Sequence, residues 1–450
     1  MHLKILRLKG EFKLTQNEID PSDKYKIPAD YLVIFFICVS FIIIALVLDS
    51  PRQILLNYIK INTSRSVLVT DYVALGGIGA ALVNSAISGF LNLFLLIINK
   101  RSPNGHIIAS LFVTIGFSLF GKNLFNTIPI MFGVWLYGRC HRVKFANLLT
   151  HAMFSGTIAP LVSEIAFFAE KTDFIYIFTA YAVGILAGFI FPVITESAKR
   201  MHRGYCLYNG GTAGGFIATF TVGILRSGGF EILPENIWDT SSTFYLATLS
   251  YSIAAALIIY GFVMGGKPVN VCKRYFNLLK ERDMNNNDYF ARYGNICYVN
   301  IGIMCIVATS LMLFLEIPIN GPVLGGILTV AGFAAAGKHL VNTAPLIIGS
   351  VSAAYFNYID TTASGNALAI LFSTGLAPIC GKHGWFWGIV AGFLHVSVAI
   401  FIGNLNGGLN LYNNGFAGGF VAITLVPIIV FIKELFDDNR PADNSGEAEK

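Results

Sequence analysis

Long apolar runs dominate the chain, and short polar stretches separate them. "YLVIFFICVSFIIIALVL" at 31–48, "FIYIFTAYAVGILAGFIFPVI" at 174–194 and "YLATLSYSIAAALIIYGFVM" at 245–264 are typical. Each is roughly the 20 residues that a helix needs to span a hydrocarbon core about 30 Å thick. The pattern predicts an all-α polytopic membrane protein. Only 12% of the residues are charged, against about 25% in soluble domains, so lipid is the expected surrounding partner.

The apolar pattern is written twice. "GKNLFNTIP" at 121–129 returns as "GKHLVNTAP" at 337–345, 216 positions later. "FSGTIAP" at 154–160 answers "FSTGLAP" at 372–378, "GILAGF" at 184–189 answers "GIVAGF" at 388–393, and "LYNGGTAGGFIA" at 207–218 answers "LYNNGFAGGFVA" at 411–422. Residues 31–225 and 245–431 are therefore two membrane repeats. They are joined by an acidic connection at 226–244, preceded by a polar segment at 1–30 and followed by a tail at 432–450. The opening segment lacks the apolar core of a signal peptide, and the low hydrophobicity of the tail predicts disorder.

Charge then assigns direction. Loops 99–105, 139–144 and 196–203 hold two, three and three Lys/Arg, whereas their second-copy partners 316–320, 357–364 and 404–408 hold none. Basic loops face the cytoplasm, so the copies are expected to be inverted, with both chain ends in the cytoplasm and the protein in the inner or plasma membrane. Loop 49–66, with Arg52, Lys60 and Arg65, falls on the wrong side by this reading. Because 99–105 and 139–144 are both basic, the chain between them is expected to enter and leave by one face as a re-entrant hairpin. Each repeat then has five transmembrane helices plus one hairpin, and the odd number of spans is what inversion requires.

The candidate chemistry lies at the hairpin tips. An intramembrane lysine is costly and points to function. The two inverted tips are expected to bring Lys122 and Lys338 toward one midplane region. Asn126, Thr127, Asn342 and Thr343 beside them could replace water around a polar solute. Pro129 and Pro345 suit the first turn of the returning helix. The competing reading has each lysine snorkelling to an interface or tying a helix C-terminal carbonyl, and helix capping by the Asn-Thr-Pro residues is compatible with both. A second constellation, "GYCLYNGGTAGGF" at 204–216 and "GLNLYNNGFAGGF" at 408–420, offers Tyr208, Asn209, Tyr412 and Asn413 as pore-lining groups among glycines that permit close helix approach.

Gly204-x-x-x-Tyr208-Asn209-Gly210 and Gly408-x-x-x-Tyr412-Asn413, with Asn414 where a glycine is expected, resemble a stretch near the end of each urea transporter half. Gly121-x-x-x-Phe125-x-x-x-Pro129 is similar to that family's segment leading into its Asn-Pro motif, although Thr127-Ile128 replaces the paired asparagines. The resemblance implies two inverted halves and a homo-oligomer, a trimer with a pore in each subunit. A lysine stands where the urea channels have a neutral residue, and the resemblance covers about forty residues, so it does not carry urea as the substrate. The chain as a whole resembles an uncharacterised bacterial family of duplicated membrane proteins.

Other features point elsewhere less well. His151, His339 and His395 read as packed or interfacial histidines, and Glu164 and Lys382 as loop-facing. Asp71 and Asp288 read as helix caps, with a coupling ion as the alternative. Seven dispersed cysteines show no metal or disulfide spacing. No Walker loop, HExxH or nucleophile elbow is present, and scattered basic residues give no nucleic-acid face. The expectation is a transport protein, not an enzyme, needing no cofactor or metal. It would move a small polar or anionic solute through a central site between the repeats by secondary transport, the alternative being a passive urea-transporter-like channel for a small neutral solute. A membrane-embedded enzyme is the least favoured class.

Overall fold

The computed structural model describes residues 27–66, 69–168, 173–229, 232, 236–282, 288–357, 359–360 and 363–437. The polar stretch 1–26 and the acidic tail from 438 lie outside the described residues. The regular elements are helical. The first copy contains α1 (Ala29–Leu48), α2 (Pro51–Asn62), α3 (Tyr72–Ile98), α4 (Gly105–Phe117), α5 (Leu124–His141), α6 (Leu149–Ser155), α7 (Ala159–Ala166), α8 (Phe174–Met201) and α9 (Asn209–Ser227). The second contains α10 (Thr243–Gly265), α11 (Pro268–Leu278), α12 (Tyr289–Tyr293), α13 (Ile296–Phe314), α14 (Gly321–Gly332), α15 (Leu340–Phe356), α16 (Ser364–Phe372), α17 (Ala377–His383), α18 (Trp385–Leu405) and α19 (Asn413–Asp437).

Eight helical segments among the described residues are long and apolar enough to cross a membrane. They are α1, α3, α8, α10, α13, α18, α19 and the broken element Phe145–Ala166 that holds α6 and α7. The expected ten spans include two more. One is α9, whose glycines and threonines, with Asn209 and Arg226 at its ends, dilute its apolar residues. The other is 364–383, which a 3-10 turn at Ser373–Leu376 divides into α16 and α17, as Gly156–Ile158 divides its first-copy counterpart.

Repeat-related residues make the same bonds in both copies. The Asn84 amide donates to the carbonyls of Ser118 and Lys122, as that of Asn300 does to those of Ala334 and Lys338. The Leu207 N–H donates to the Gly375 carbonyl, and Leu411 to that of Thr157, so each copy braces the other. His202 with Asn209 is mirrored by Asn406 with Asn413.

Glycines bring the two copies together at the centre. Helices α4 and α14 lie antiparallel, with Gly105 against Ala335, Gly116 against Gly325, and Gly321 against Leu119. A Cβ on Gly116 would stand 2.7 Å from the Gly325 carbonyl oxygen, a backbone atom that cannot move aside. Helices α9 and α19 cross in the same way, at Gly211 and Gly415. Small residues at such crossings let backbones meet and gain packing that lipid cannot match.

Each turn that follows one helix of the antiparallel α4–α14 pair lies beside the start of the other, so the Lys122 and Lys338 backbones sit toward opposite ends of the pair. The basic loops do gather at one end. There the Arg101 guanidinium donates to Asn147 at 3.2 Å, joining the chain just before α4 to the chain just after α5. The Gly105 N–H donates to Asp288 at 2.8 Å. At the other end Asp71 accepts from the N–H groups of Val73 and Asp239, and Asn320 donates to the Asp239 carbonyl. Asp71 and Asp288 are thus helix caps, as the capping reading held. Glu164 is not loop-facing: it is buried, and Arg65 donates to both of its oxygens at 2.5 and 2.9 Å. That ion pair neutralises one of the basic residues in the loop that broke the charge pattern.

Candidate functional site

The α4–α5 and α14–α15 connections are each a turn between two helices, fixed by polar residues. Gly121 and Gly337 adopt φ of 75° and 116°, open to glycine but strained for other residues. Asn123 then starts α5 with a reciprocal cap: its side chain accepts from the Asn126 N–H, and the Asn126 side chain accepts from the Asn123 N–H, both at 3.0 Å. His339 and Asn342 repeat this at the start of α15. Both N3 asparagines also donate to the glycine carbonyl of their turn, at 2.9 Å. Asn126 and Asn342 are therefore helix caps, with their hydrogen bonds occupied by backbone and, for Asn126, by Ser163. The cap begins the helix early enough that Pro129 and Pro345 lie inside α5 and α15, not in the first turn.

The turn turns each lysine inward. Lys122 is 1% and Lys338 0% exposed. The Lys122 ammonium donates to the Tyr412 hydroxyl and to the Met153 carbonyl. The Lys338 ammonium donates to the Tyr208 hydroxyl and, at 2.9 Å, to the Thr374 hydroxyl. Each lysine thus reaches the tyrosine of the other copy. Lys338 also lies 4.2 Å from the centre of the Tyr208 ring, and Lys122 4.9 Å from that of Tyr412, within cation–π range. Neither ammonium has a carboxylate partner among the described residues.

In front of the tyrosines lies a cavity of about 800 Å³. Its inner end is lined by both members of six repeat-related pairs: Val113 with Thr329, Phe117 with Phe333, Phe154 with Phe372, Tyr208 with Tyr412, Gly210 with Asn414, and Gly211 with Gly415. Its mouth comes from the first copy alone. Asn104, His106, Asn147, Thr150, His151, Thr195, Glu196, Lys199, Arg200, His202 and Arg203 line it at the basic end. Lys199, Arg200 and Arg203 are exposed there, while Tyr208 and Tyr412 are buried at the floor. His151 lies 3.7 Å from Glu196 across the mouth. Burial, the largest influence, holds the His202 imidazole below its ordinary value, opposed by its bond to Asn209.

Of the residues expected to contact solute, Tyr208, Asn209 and Tyr412 line this cavity. Lys122 and Lys338 stand behind the tyrosines. Thr127 faces a gap of about 10 Å³ beside Lys122, and Thr343 donates to the His339 carbonyl. Asn413 accepts from Asn406 outside the cavity. The mouth residues escaped the sequence reading because they looked like loop charge. Thr195, Glu196, Lys199, Arg200 and Arg203 nevertheless recur at spacings that form one stripe on a helix, a signal that was available. No group of three or more His, Cys, Asp or Glu suited to a metal is found among the described residues.

Apolar helices of membrane-crossing length, joined by short connections around this cavity, define a multi-pass membrane protein. The chain belongs to the family described as "Protein of unknown function (DUF1576)", whose model matches residues 50–227 and 267–431, one segment in each copy. No curated protein and no solved structure matches it.

Proposed function

We propose that this protein is a secondary transporter for a small anionic or polar solute. In this reading the repeats are inverted, α4–α5 and α14–α15 are re-entrant hairpins, and the basic end faces the cytoplasm. One observation carries it: a cavity whose inner end is shared equally by the two copies and whose mouth belongs to one. Sites at the interface of inverted repeats are how transporters commonly hold substrate. A mouth carrying Lys199, Arg200 and Arg203 concentrates anions by its field.

The floor suits a bound polar group. An ammonium can only donate, so the tyrosine oxygens accept from Lys122 and Lys338. The phenolic protons are then free to point elsewhere. With no carboxylate beside them, the two buried lysines would hold their charge best with a negative group in front of the tyrosines. The aromatic walls, Phe117, Phe154, Phe333 and Phe372, exclude water around it.

The alternative is a passive channel for a small neutral solute, with the same aromatic groups as a narrow filter. Melting temperature of the purified protein against small mono- and dicarboxylates and neutral amides separates the two, because a ligand that binds the folded state stabilises it. Stabilisation by a carboxylate that is lost in Arg200→Gln and Tyr412→Phe supports the anion transporter. Stabilisation or liposome uptake with amides alone favours the channel. No shift and no uptake with any compound would overturn both.

A further inference from the structure

The cavity opens to one end, yet its repeat equivalent on the other side is closed. Thr150 and His151 are partly exposed in the mouth, whereas Leu368 and Ala369, which occupy the same places in the second copy, are 2% and 0% exposed. Leu368 and Leu371 pack over Gly326 there. Beside this closed region His395 is fully buried, and its imidazole meets the Asn414 side chain without forming a well-aligned hydrogen bond at either ring nitrogen. Their first-copy equivalents are Phe191 and Gly210, which need no partners.

We propose that His395 and Asn414 line a second half of the solute path, closed in this conformation and leading to the end opposite the basic mouth. The inference rests on the transporter reading above. Buried polar groups in folded proteins almost always find partners. A permanently sealed core would leave the imidazole short of a partner, since Asn414 can serve at most one of its two ring nitrogens. A region that opens and hydrates in the other state satisfies them in turn, as alternating access by two equivalent repeats requires.

Asn414 already lines the present cavity, so it is the hinge point between the two halves of the path. The second half differs in chemistry from the first. Lys199, Arg200 and Arg203 are replaced by Gly403, Asn404 and Gly407, so its mouth carries no positive charge. Imidazole and carboxamide together offer both donors and acceptors, which fits a solute with a carboxylate or amide head.

Cysteine accessibility tests the proposal. Thr195→Cys probes the open half and Ala399→Cys, its repeat equivalent, the closed one. Gly403→Cys is a second probe, since a Cβ there meets nothing closer than 3.8 Å. Native Cys140 and Cys272 are exposed and lie toward the basic end, so they report which face an impermeant maleimide has reached. Labelling is read residue by residue by mass spectrometry in vesicles of both orientations.

The expected result is labelling of residue 195 from the face that labels Cys140 and Cys272, and of residues 399 and 403 from the other face. Failure of residue 399 to label from that opposite face, while 195 and the already open 403 label normally, overturns the second half. Labelling of residue 399 only from the basic face overturns it as well. Uptake of the carboxylate and amide panel by the same vesicles is scored separately. Uptake with 399 unlabelled removes this inference alone, whereas absent uptake bears on the transporter reading.

Discussion

Lys122 and Lys338 occupy equivalent places and meet equivalent tyrosines, but their nests differ. In the first copy position 156 is glycine and 157 threonine; in the second the order is reversed, as Thr374 and Gly375. Gly156 leaves room for Lys122, since a Cβ would stand 2.5 Å from its Cε, and the ammonium turns to the Met153 carbonyl. Thr374 instead gives Lys338 a hydroxyl. The displaced Thr157 bonds Asn410 at 2.5 Å. Exchanging two neighbouring residues on one backbone thus produces two electrostatic environments. The frame is shared between the copies, and the difference lies in the side chains that meet the ammonium.

The largest effect is expected where both nests depend on one contact. Gly211→Val would drive a side chain into the α19 backbone at Gly415, and overpacking without room to relax should cost about 3 kcal/mol. Denaturation in detergent checks it, with Gly223→Val as the control, since a Cβ there meets nothing within 4 Å.

The lysines come next, and they separate function from stability. Replacing an uncompensated buried charge by an apolar residue of similar length is often neutral or stabilising. Lys122→Met and Lys338→Met should therefore leave the melting temperature unchanged or raised, while solute uptake falls about tenfold or more. Uptake at wild-type level in both would reduce the lysines to packing.

A smaller change should convert one nest toward the other. Gly156→Thr crowds Lys122 and is expected to cost about 1–3 kcal/mol. Thr374→Gly removes one hydrogen bond to Lys338 and should cost about 1 kcal/mol. If the two variants had equal effects, the asymmetry of the nests would be cosmetic.

The smallest effect concerns the paired bonds His202–Asn209 and Asn406–Asn413. Because burial lowers the His202 pKa in the folded state, unfolding takes up a proton below the ordinary imidazole value of about 6.5. Stability should therefore fall as pH drops through that value, and level off once it lies below the folded pKa. His202→Asn, which copies the second repeat, should flatten this part of a melting-temperature profile. An unchanged slope would remove His202 from the account.

Much of the frame was legible in the chain. Twenty-residue apolar runs, the doubled motifs and the uneven loop charge gave the spans, the duplication and the gathering of basic loops at one end. What was not legible depends on pairing across the repeats. Nothing local in "GKNLFNT" says that Lys122 will meet Tyr412, which is 290 positions away. Asn126 reads as a solute ligand or a cap because its type fits both roles, and the cap it forms shows only in the geometry. His395 looked like ordinary core until its burial and its cavity-lining neighbour Asn414 were seen together.

Each nest takes its lysine from one half of the chain and its tyrosine from the other. Neither half is a finished unit. A half-length chain of this design would have to work as two copies, each completing the other. Joining the halves in one chain allows the two sets of side chains to differ, as they do in the Gly156–Thr157 and Thr374–Gly375 exchange. It follows that a chain cut in the 228–242 connection and expressed as two pieces should reassemble, whereas either piece alone would leave a lysine buried with no tyrosine to receive it.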